Sequence, residues 1–236
     1  MKIEALTDAD AVARAGAAVT AEEARVAVAA RGRFIVAFSG GHTPWKMLRT
    51  LADEKMPWRS VHVVQVDERL APAGDPDRNL THLRESLLAH CPLRAEQVHA
   101  MPVESDDLEA ASRRYALALE DIAGVPAVLD LVHLGLGPDG HTASLVPGDP
   151  VLDVTGADVA LTGVYQGLRR MTLTYPVLNR ARSIVWLITG REKAEMLARV
   201  CRGDRSIPAG RIDQHQALVL ADHEAAARSG SEPSLR

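Results

Sequence analysis

The chain has 236 residues, 47% of them apolar, 25% charged and 3% aromatic, with a formal net charge of −4. That length can bury a full core, as one large α/β domain or two small ones, and with so few aromatics the core must be built from Ala, Val, Leu and Ile. The acidic balance argues against nucleic acid as a partner, which needs a strongly basic face; an anionic small substrate stays open, because local arginines decide that.

Thr7 and Asp10 form a capping-box pattern, which predicts an alanine-rich helix running to about Arg31 and stopped by Gly32. Arg33 to Phe38 is a continuous apolar strand of the buried parallel type. It ends at Ser39-Gly40-Gly41-His42-Thr43-Pro44, where a helix is expected to start near Thr43 or Pro44 and run to about Asp53. A second strand, Val61 to Val66, runs into Asp67-Glu68-Arg69. The Pro-, Gly- and Asp-rich loop from Ala71 to Arg78 precedes a helix from about Asn79 to His90. After Pro92, a short strand near Val98 to Met101 and a helix from Ser105 to Ala123 are expected. The strand Val128 to Leu134 feeds the glycine-dense turn Gly135-Leu136-Gly137-Pro138-Asp139-Gly140-His141-Thr142. Pro147, Gly148 and Pro150 forbid a long helix after it. Shorter strands follow near Val159 to Tyr165 and Arg170 to Tyr175, then a buried strand Ser183 to Thr189, a helix Arg191 to Cys201 and a strand Ala217 to Leu220 before a final helix.

Strands alternating with helices indicate an α/β fold with a largely parallel sheet flanked by helices on both faces. No internal repeat or inter-domain linker is visible, so 1–228 is expected to be a single domain and 229–236 a loose tail. Cys91 and Cys201 lie far apart and outside any CxxC spacing, which points to a reducing, cytoplasmic setting rather than a disulfide framework. The acidic N-terminal segment lacks a basic start followed by an apolar run, and no 18-residue apolar stretch occurs. Neither a signal peptide nor a membrane partner is expected.

Three turns carry the candidate chemistry. In the first, the amides of Gly40 and Gly41, the hydroxyls of Ser39 and Thr43 and a helix N-terminus together favour an anion; no GK[ST] follows, so this is not a Walker motif. In the second, Asp139 and His141 place a carboxylate and an imidazole, groups that can move protons, two residues apart at a strand's C-terminal end. Gly135-x-Gly137-x-x-Gly140 matches the dinucleotide fingerprint letter by letter. Asp139, however, puts a carboxylate where a pyrophosphate needs neutral amides, and Pro147 cuts off the helix of a βαβ unit, so no nicotinamide cofactor is expected. In the third, Arg69 closes the Asp67-Glu68-Arg69 turn and can fork onto phosphate oxygens or pair with its acidic neighbours. Arg170 and Lys193 are further cations for a phosphate. With no HExxH, HxH or cysteine cluster, no metal is expected. The remaining histidines, His62, His82, His90, His99, His133, His215 and His223, are assigned surface or packing roles.

Taken together, Phe38-Ser39-Gly40-Gly41-x-Thr43-Pro44, Asp67-Glu68-Arg69, the run Gly135 to Gly148, Thr172-Leu173-Thr174-x-Pro176-x-x-Asn179-x-Ala181 and Gly190-x-x-Lys193-Ala194 resemble the glucosamine-6-phosphate isomerase/6-phosphogluconolactonase family over nearly the whole chain. At position 42 the family more often has serine or arginine than histidine. The deaminase branch carries a glutamate where this chain has Val146, and a tyrosine where it has Arg69, so the lactonase branch is the better match. The resemblance implies a Rossmann-like sheet of the deaminase/ribose-phosphate isomerase-like superfamily. It also implies hydrolysis of 6-phospho-glucono-lactone to 6-phosphogluconate in the oxidative pentose phosphate pathway, with no cofactor. The expected partner is a phosphorylated sugar lactone, and the chain is expected as a monomer or weak homo-oligomer. Catalysis is assigned to His141 with Asp139, and substrate binding to Ser39, Gly40, Gly41, Thr43, Asp67, Arg69, Arg170 and Lys193. Which cation grips the phosphate, and whether Asp67 or Asp139 assists His141, stays open at this level. A sugar-phosphate isomerase or deaminase is the nearest alternative. A non-catalytic sugar-phosphate sensor ranks below it, because these 236 residues leave no room for an attached DNA-binding helix pair.

Overall fold

Apolar runs too continuous to leave a face in water end up as the middle of a sheet covered on both sides. The structure, a computed structural model, describes residues 1–229. The tail expected over 229–236 therefore lies, Ser229 apart, outside the described residues. In chain order the elements are β1 (Lys2–Leu6), α1 (Ala9–Arg31), β2 (Phe34–Phe38), α2 (His42–Leu51), β3 (Val61–Gln65), β4 (Asp67–Arg69), α3 (Asn79–Ser86), β5 (Val98–His99), α4 (Leu108–Ala123), β6 (Leu131–Leu134), β7 (Val159–Leu161), β8 (Arg170–Leu173), α5 (Tyr175–Asn179), β9 (Ile184–Ile188), α6 (Ala194–Cys201), β10 (Ala217–Asp222) and α7 (His223–Ala226).

Seven strands form a parallel sheet in the order β1-β10-β9-β6-β2-β3-β5, and β4-β8-β7 form a small antiparallel sheet beside it. Side chains alternate along each central strand. Phe34, Val36 and Phe38 of β2 pack with the alanine face of α1 and with α2 and α3, while Ile35 and Ala37 face the opposite core with Tyr115 and Leu119 of α4 and Leu197 of α6. Gly16 lets α1 approach the sheet closely: a Cβ there would lie 2.8 Å from a Leu187 methyl.

From β2 the chain steps outward through β3 and β5, then returns to the other side of β2 with β6 and steps outward again through β9 and β10. The direction of winding thus reverses between β2 and β6. Their carboxyl ends splay the following loops apart, and a crevice at such a switch point is where open α/β sheets bind ligands.

Several expected boundaries move, each for a local reason. Asp8 rather than Thr7 caps α1, its carboxylate accepting the Ala11 N–H at 2.7 Å, while the Thr7 hydroxyl donates to that carboxylate. α2 opens at His42, one residue earlier than expected, because Gly41 takes the cap position at φ +122°. The helix expected over 79–90 breaks at Leu87 into a 3₁₀ turn, and Asp107, not Ser105, starts α4 by accepting the Ala110 N–H. The strands expected to reach Tyr165 and Tyr175 stop at Leu161 and Leu173, Tyr165 entering a tight turn and Tyr175 opening α5. β1, which was not expected from the sequence, is a short, partly exposed edge strand held by β10. Among the described residues, no helix is long and apolar enough to cross a membrane.

Leu119 is fully buried where α4 meets the sheet. Leu119→Ala is expected to lower the unfolding free energy by about 2–5 kcal/mol in urea denaturation. A loss well below that range would mean that α4 contributes little to this core.

Candidate active site

Beyond β6 the backbone folds back on itself. The Gly137 N–H donates to the His141 carbonyl at 2.8 Å, the Gly140 N–H to the Gly137 carbonyl at 3.0 Å, and the Thr142 hydroxyl to the Gly135 carbonyl at 2.8 Å. Within this knot His141 Nδ1 lies 2.6 Å from Asp139 Oδ1, which also accepts the His141 backbone N–H at 3.2 Å. Position 137 tolerates no side chain, since a Cβ there would sit 2.1 Å from His141 Nδ1 and 2.7 Å from Asp139 Oδ1. Burial raises the Asp139 pKa, but the His141 charge and hydrogen bonds from His141 and Tyr165 outweigh it and hold the carboxyl below its usual range. An ionised Asp139 accepts the proton on Nδ1, so Nε2 is left as the ring nitrogen free to take one.

Ser39, Gly40, Asp67, Arg69, His141, Arg170 and Lys193 line one hollow of about 170 Å3 at the ends of β2 and β6. Asp139 stands behind His141. Gly41 and Thr43 line an adjoining cleft that shares Gly40 and Lys193 with the hollow, and the Thr43 hydroxyl pairs with the Thr189 hydroxyl at 2.7 Å. Arg69 and Arg170 are direct partners in the antiparallel β4–β8 register. Their Nε atoms are buried and unpartnered. Arg69 otherwise donates to the Asp77 carbonyl, and Arg170 to Gln166 Oε1 at 3.3 Å. Burial pushes the Arg170 pKa down and Arg69 adds to this, against Asp67; burial likewise lowers the Lys193 pKa, opposed by Glu192 and Asp139. Like charges facing each other across strands are unfavourable unless an anion sits between them.

The sequence left open an Arg69 ion pair with its acidic neighbours, and neither neighbour is used that way. Glu68 is fully buried; it accepts the Asn79 and Leu80 N–H groups that begin α3 and the Gln65 amide, and pairs with Arg78 at 3.1 Å. Asp67 accepts from Asn79 Nδ2 at 3.1 Å and from the Ser144 hydroxyl at 2.5 Å. Asn79 also lines the hollow, and Gly40 makes room for it: a Cβ there would meet Asn79 Oδ1 at 1.9 Å.

Sequence reasoning missed Asn79, Ser144 and Tyr165. The Tyr165 hydroxyl donates to Asp139 Oδ2 at 3.0 Å. His133, placed with the packing histidines, is buried on β6, where Nδ1 lies 2.9 Å from the Ser39 hydroxyl and burial drives its pKa down to about 3. Among the described residues, no group of three or more His, Cys, Asp or Glu is placed to share a metal ion.

Two outcomes are expected. Gly137→Ala should abolish the downfield ¹H signal of the His141 Nδ1 proton, whereas Gly135→Ala, where a Cβ meets nothing within 4 Å, should keep it; the same signal in both variants would refute the crowding. His133 stays neutral when folded but charges near pH 6.5 when unfolded. The unfolded chain therefore binds the extra proton, and stability is lost as pH falls from about 6.5 toward 3, by at most about 1.4 kcal/mol per pH unit. His133→Gln should flatten the pH dependence of the urea-unfolding free energy in that window, and an unchanged slope would contradict it.

Residues 7–220 match the family model described as glucosamine-6-phosphate isomerases/6-phosphogluconolactonase. A 6-phosphogluconolactonase of Mycobacterium tuberculosis is 36% identical over 96% of this chain and 97% of its own, and one from Synechocystis is 38% identical over 74% of each. Among solved structures, a 6-phosphogluconolactonase from Thermotoga maritima superposes with a TM-score of 0.83 at 25% identity, covering 94% of this chain and 98% of that one. One from Trypanosoma cruzi, at 23% identity, shares the fold with a TM-score of 0.86 over 98% and 97% of the two chains.

Proposed function

The chain belongs to the glucosamine-6-phosphate isomerase/6-phosphogluconolactonase family, and we propose that within it this chain hydrolyses 6-phospho-D-glucono-1,5-lactone to 6-phosphogluconate, a step of the oxidative pentose phosphate pathway. The observation that carries the reading is the pairing of two cationic guanidiniums, Arg69 and Arg170, with a carboxylate-oriented imidazole, His141, in one hollow.

In this mechanism the phosphate sits against Arg69 and Arg170, with Lys193 and the Ser39–Gly40 turn completing the anion site. Gly41 and Thr43, around the N-terminus of α2, add to the positive field from the adjoining cleft. Each charge-assisted hydrogen bond is worth roughly 1.5–3 kcal/mol, and anchoring the far end of the substrate fixes its carbonyl beside His141. His141 Nε2 takes a proton from water as the oxygen attacks C1. The C1–ring oxygen bond breaks, the departing oxygen receives that proton and becomes the C5 hydroxyl, and the new carboxyl group ionises. Asp139 holds the imidazole in the productive tautomer and balances the transient imidazolium. Asp67, held by Asn79 and Ser144, is placed to accept hydrogen bonds from substrate hydroxyls. Ser144 is buried and donates to Asp67, which supports direct water attack over an acyl-serine. The buried Val146, standing where the deaminase branch carries glutamate, supports the lactonase over the deaminase.

The test is to generate the lactone enzymatically and follow its disappearance with and without the protein. His141→Ala should lower kcat by about 10²–10⁴ while 6-phosphogluconate still binds. Arg170→Ala should instead raise KM and weaken inhibition by 6-phosphogluconate. No acceleration over spontaneous hydrolysis, or release of ammonia from glucosamine 6-phosphate, would contradict the reading.

A further inference from the structure

Tyr165 belongs to the hairpin between β7 and β8, far in sequence from the glycine turn. Its backbone pairs with Leu168 in both directions, at 3.0 and 3.3 Å, around Gln166 at φ +52° and Gly167 at φ +83°. Two left-handed residues in succession match the tight primed turn whose twist suits a hairpin. A left-handed glutamine is uncommon, and here its side chain accepts from Arg170 Nη2, so the turn is tied to the cationic wall. The tyrosine ring projects from this turn between two parts of the site. On one side its hydroxyl donates to Asp139 Oδ2 at 3.0 Å and lies 3.5 Å from His141 Nδ1, with the two rings edge to face at 5.4 Å. On the other, the Arg170 guanidinium carbon lies 5.0 Å from the ring centroid, within cation–π range.

We propose that Tyr165 is a positioning residue that couples the anion site to the proton-transferring pair: its hydroxyl restrains the Asp139 carboxylate behind His141 while its ring braces Arg170. The proposal rests on the hydrolytic reading of this site. Asp139 Oδ1 is occupied by His141, once through the ring and once through the backbone, and Oδ2 by Tyr165, so both carboxylate oxygens are held and the imidazole cannot swing without breaking a bond. The donor from Tyr165 also withdraws charge from the carboxylate and so limits how strongly Asp139 stabilises a protonated His141. The other charged or titratable side chains around His141 are Asp67, Arg69 and Arg170 across the hollow and Lys193 from the β9–α6 turn, and none of these is removed in the variants below.

Tyr165→Phe keeps the ring and deletes the donor. The Asp139 carboxylate then lacks a donor that partly neutralises it and stabilises a protonated His141 more strongly, so the midpoint of an NMR titration of the His141 ring protons moves to higher pH, and the acid limb of the kcat/KM profile moves up with it. Turnover falls about tenfold, while affinity for 6-phosphogluconate, read by calorimetry, stays at the wild-type value. Tyr165→Leu repeats the His141 shift and also weakens 6-phosphogluconate several-fold. The titration needs no turnover, so it decides the proposal even if the protein proves inactive on the lactone. An unmoved His141 pKa in Tyr165→Phe, or wild-type 6-phosphogluconate affinity in Tyr165→Leu, overturns it.

Discussion

An imidazole and a carboxylate only two residues apart meet at 2.6 Å because the backbone between Gly137 and His141 closes on itself and leaves no space at position 137 for even a methyl group. Neither a helix nor a strand brings residues i and i+2 together in this way: a helix turns them to opposite sides, and a strand keeps them on one face but about 6.6 Å apart along its axis. The turn therefore has to leave regular structure, and it does so at the carboxyl end of a central, fully buried strand, where the sheet holds its base rigid. The exposed side of the turn is free to present Nε2 while its inner side is fixed by four backbone and side-chain hydrogen bonds.

A second constraint, electrostatic rather than steric, shapes the facing wall. Arg69 and Arg170 oppose each other in register, an arrangement that local pairing preferences disfavour. It persists because β4 is pinned from beneath. Glu68, the fully buried middle residue of this short strand, accepts the first N–H groups of α3 and pairs with Arg78, and Asp67 is held by Asn79 and Ser144. Removing one partner of such a buried charge network is costly, so the network fixes where the arginines stand. In the proposed mechanism the phosphate dianion relieves their repulsion, which would make binding energy available for placing the lactone carbonyl.

The centre of the main sheet was legible because β2, β3, β6 and β9 are short, mostly apolar runs ended by glycine or charge, and the glycine turn was legible because it sets Asp139 and His141 among glycines directly after such a run. What stayed hidden shares one cause. β4 is made of three charged residues, so nothing in its composition signals a strand; its ladder is supplied by β8, about a hundred residues later. Tyr165 and Ser144 reach the site through tertiary contacts with Asp139 and Asp67, and Asn79 looked like a residue at the start of a helix. Each is positioned by long-range packing that no local pattern encodes. The family resemblance, carried by several motifs in order, supplied the proposed substrate, which chemistry alone could not name.

In the proposed mechanism opposite ends of one ligand are held by opposite walls of the hollow. A crystal structure with 6-phosphogluconate bound tests that directly. The phosphate should lie between the Arg69 and Arg170 guanidiniums, with a carboxylate oxygen within hydrogen-bond reach, about 3 Å, of His141 Nε2. A reversed ligand, with its carboxylate on the arginines, or a phosphate bound away from both, would contradict it.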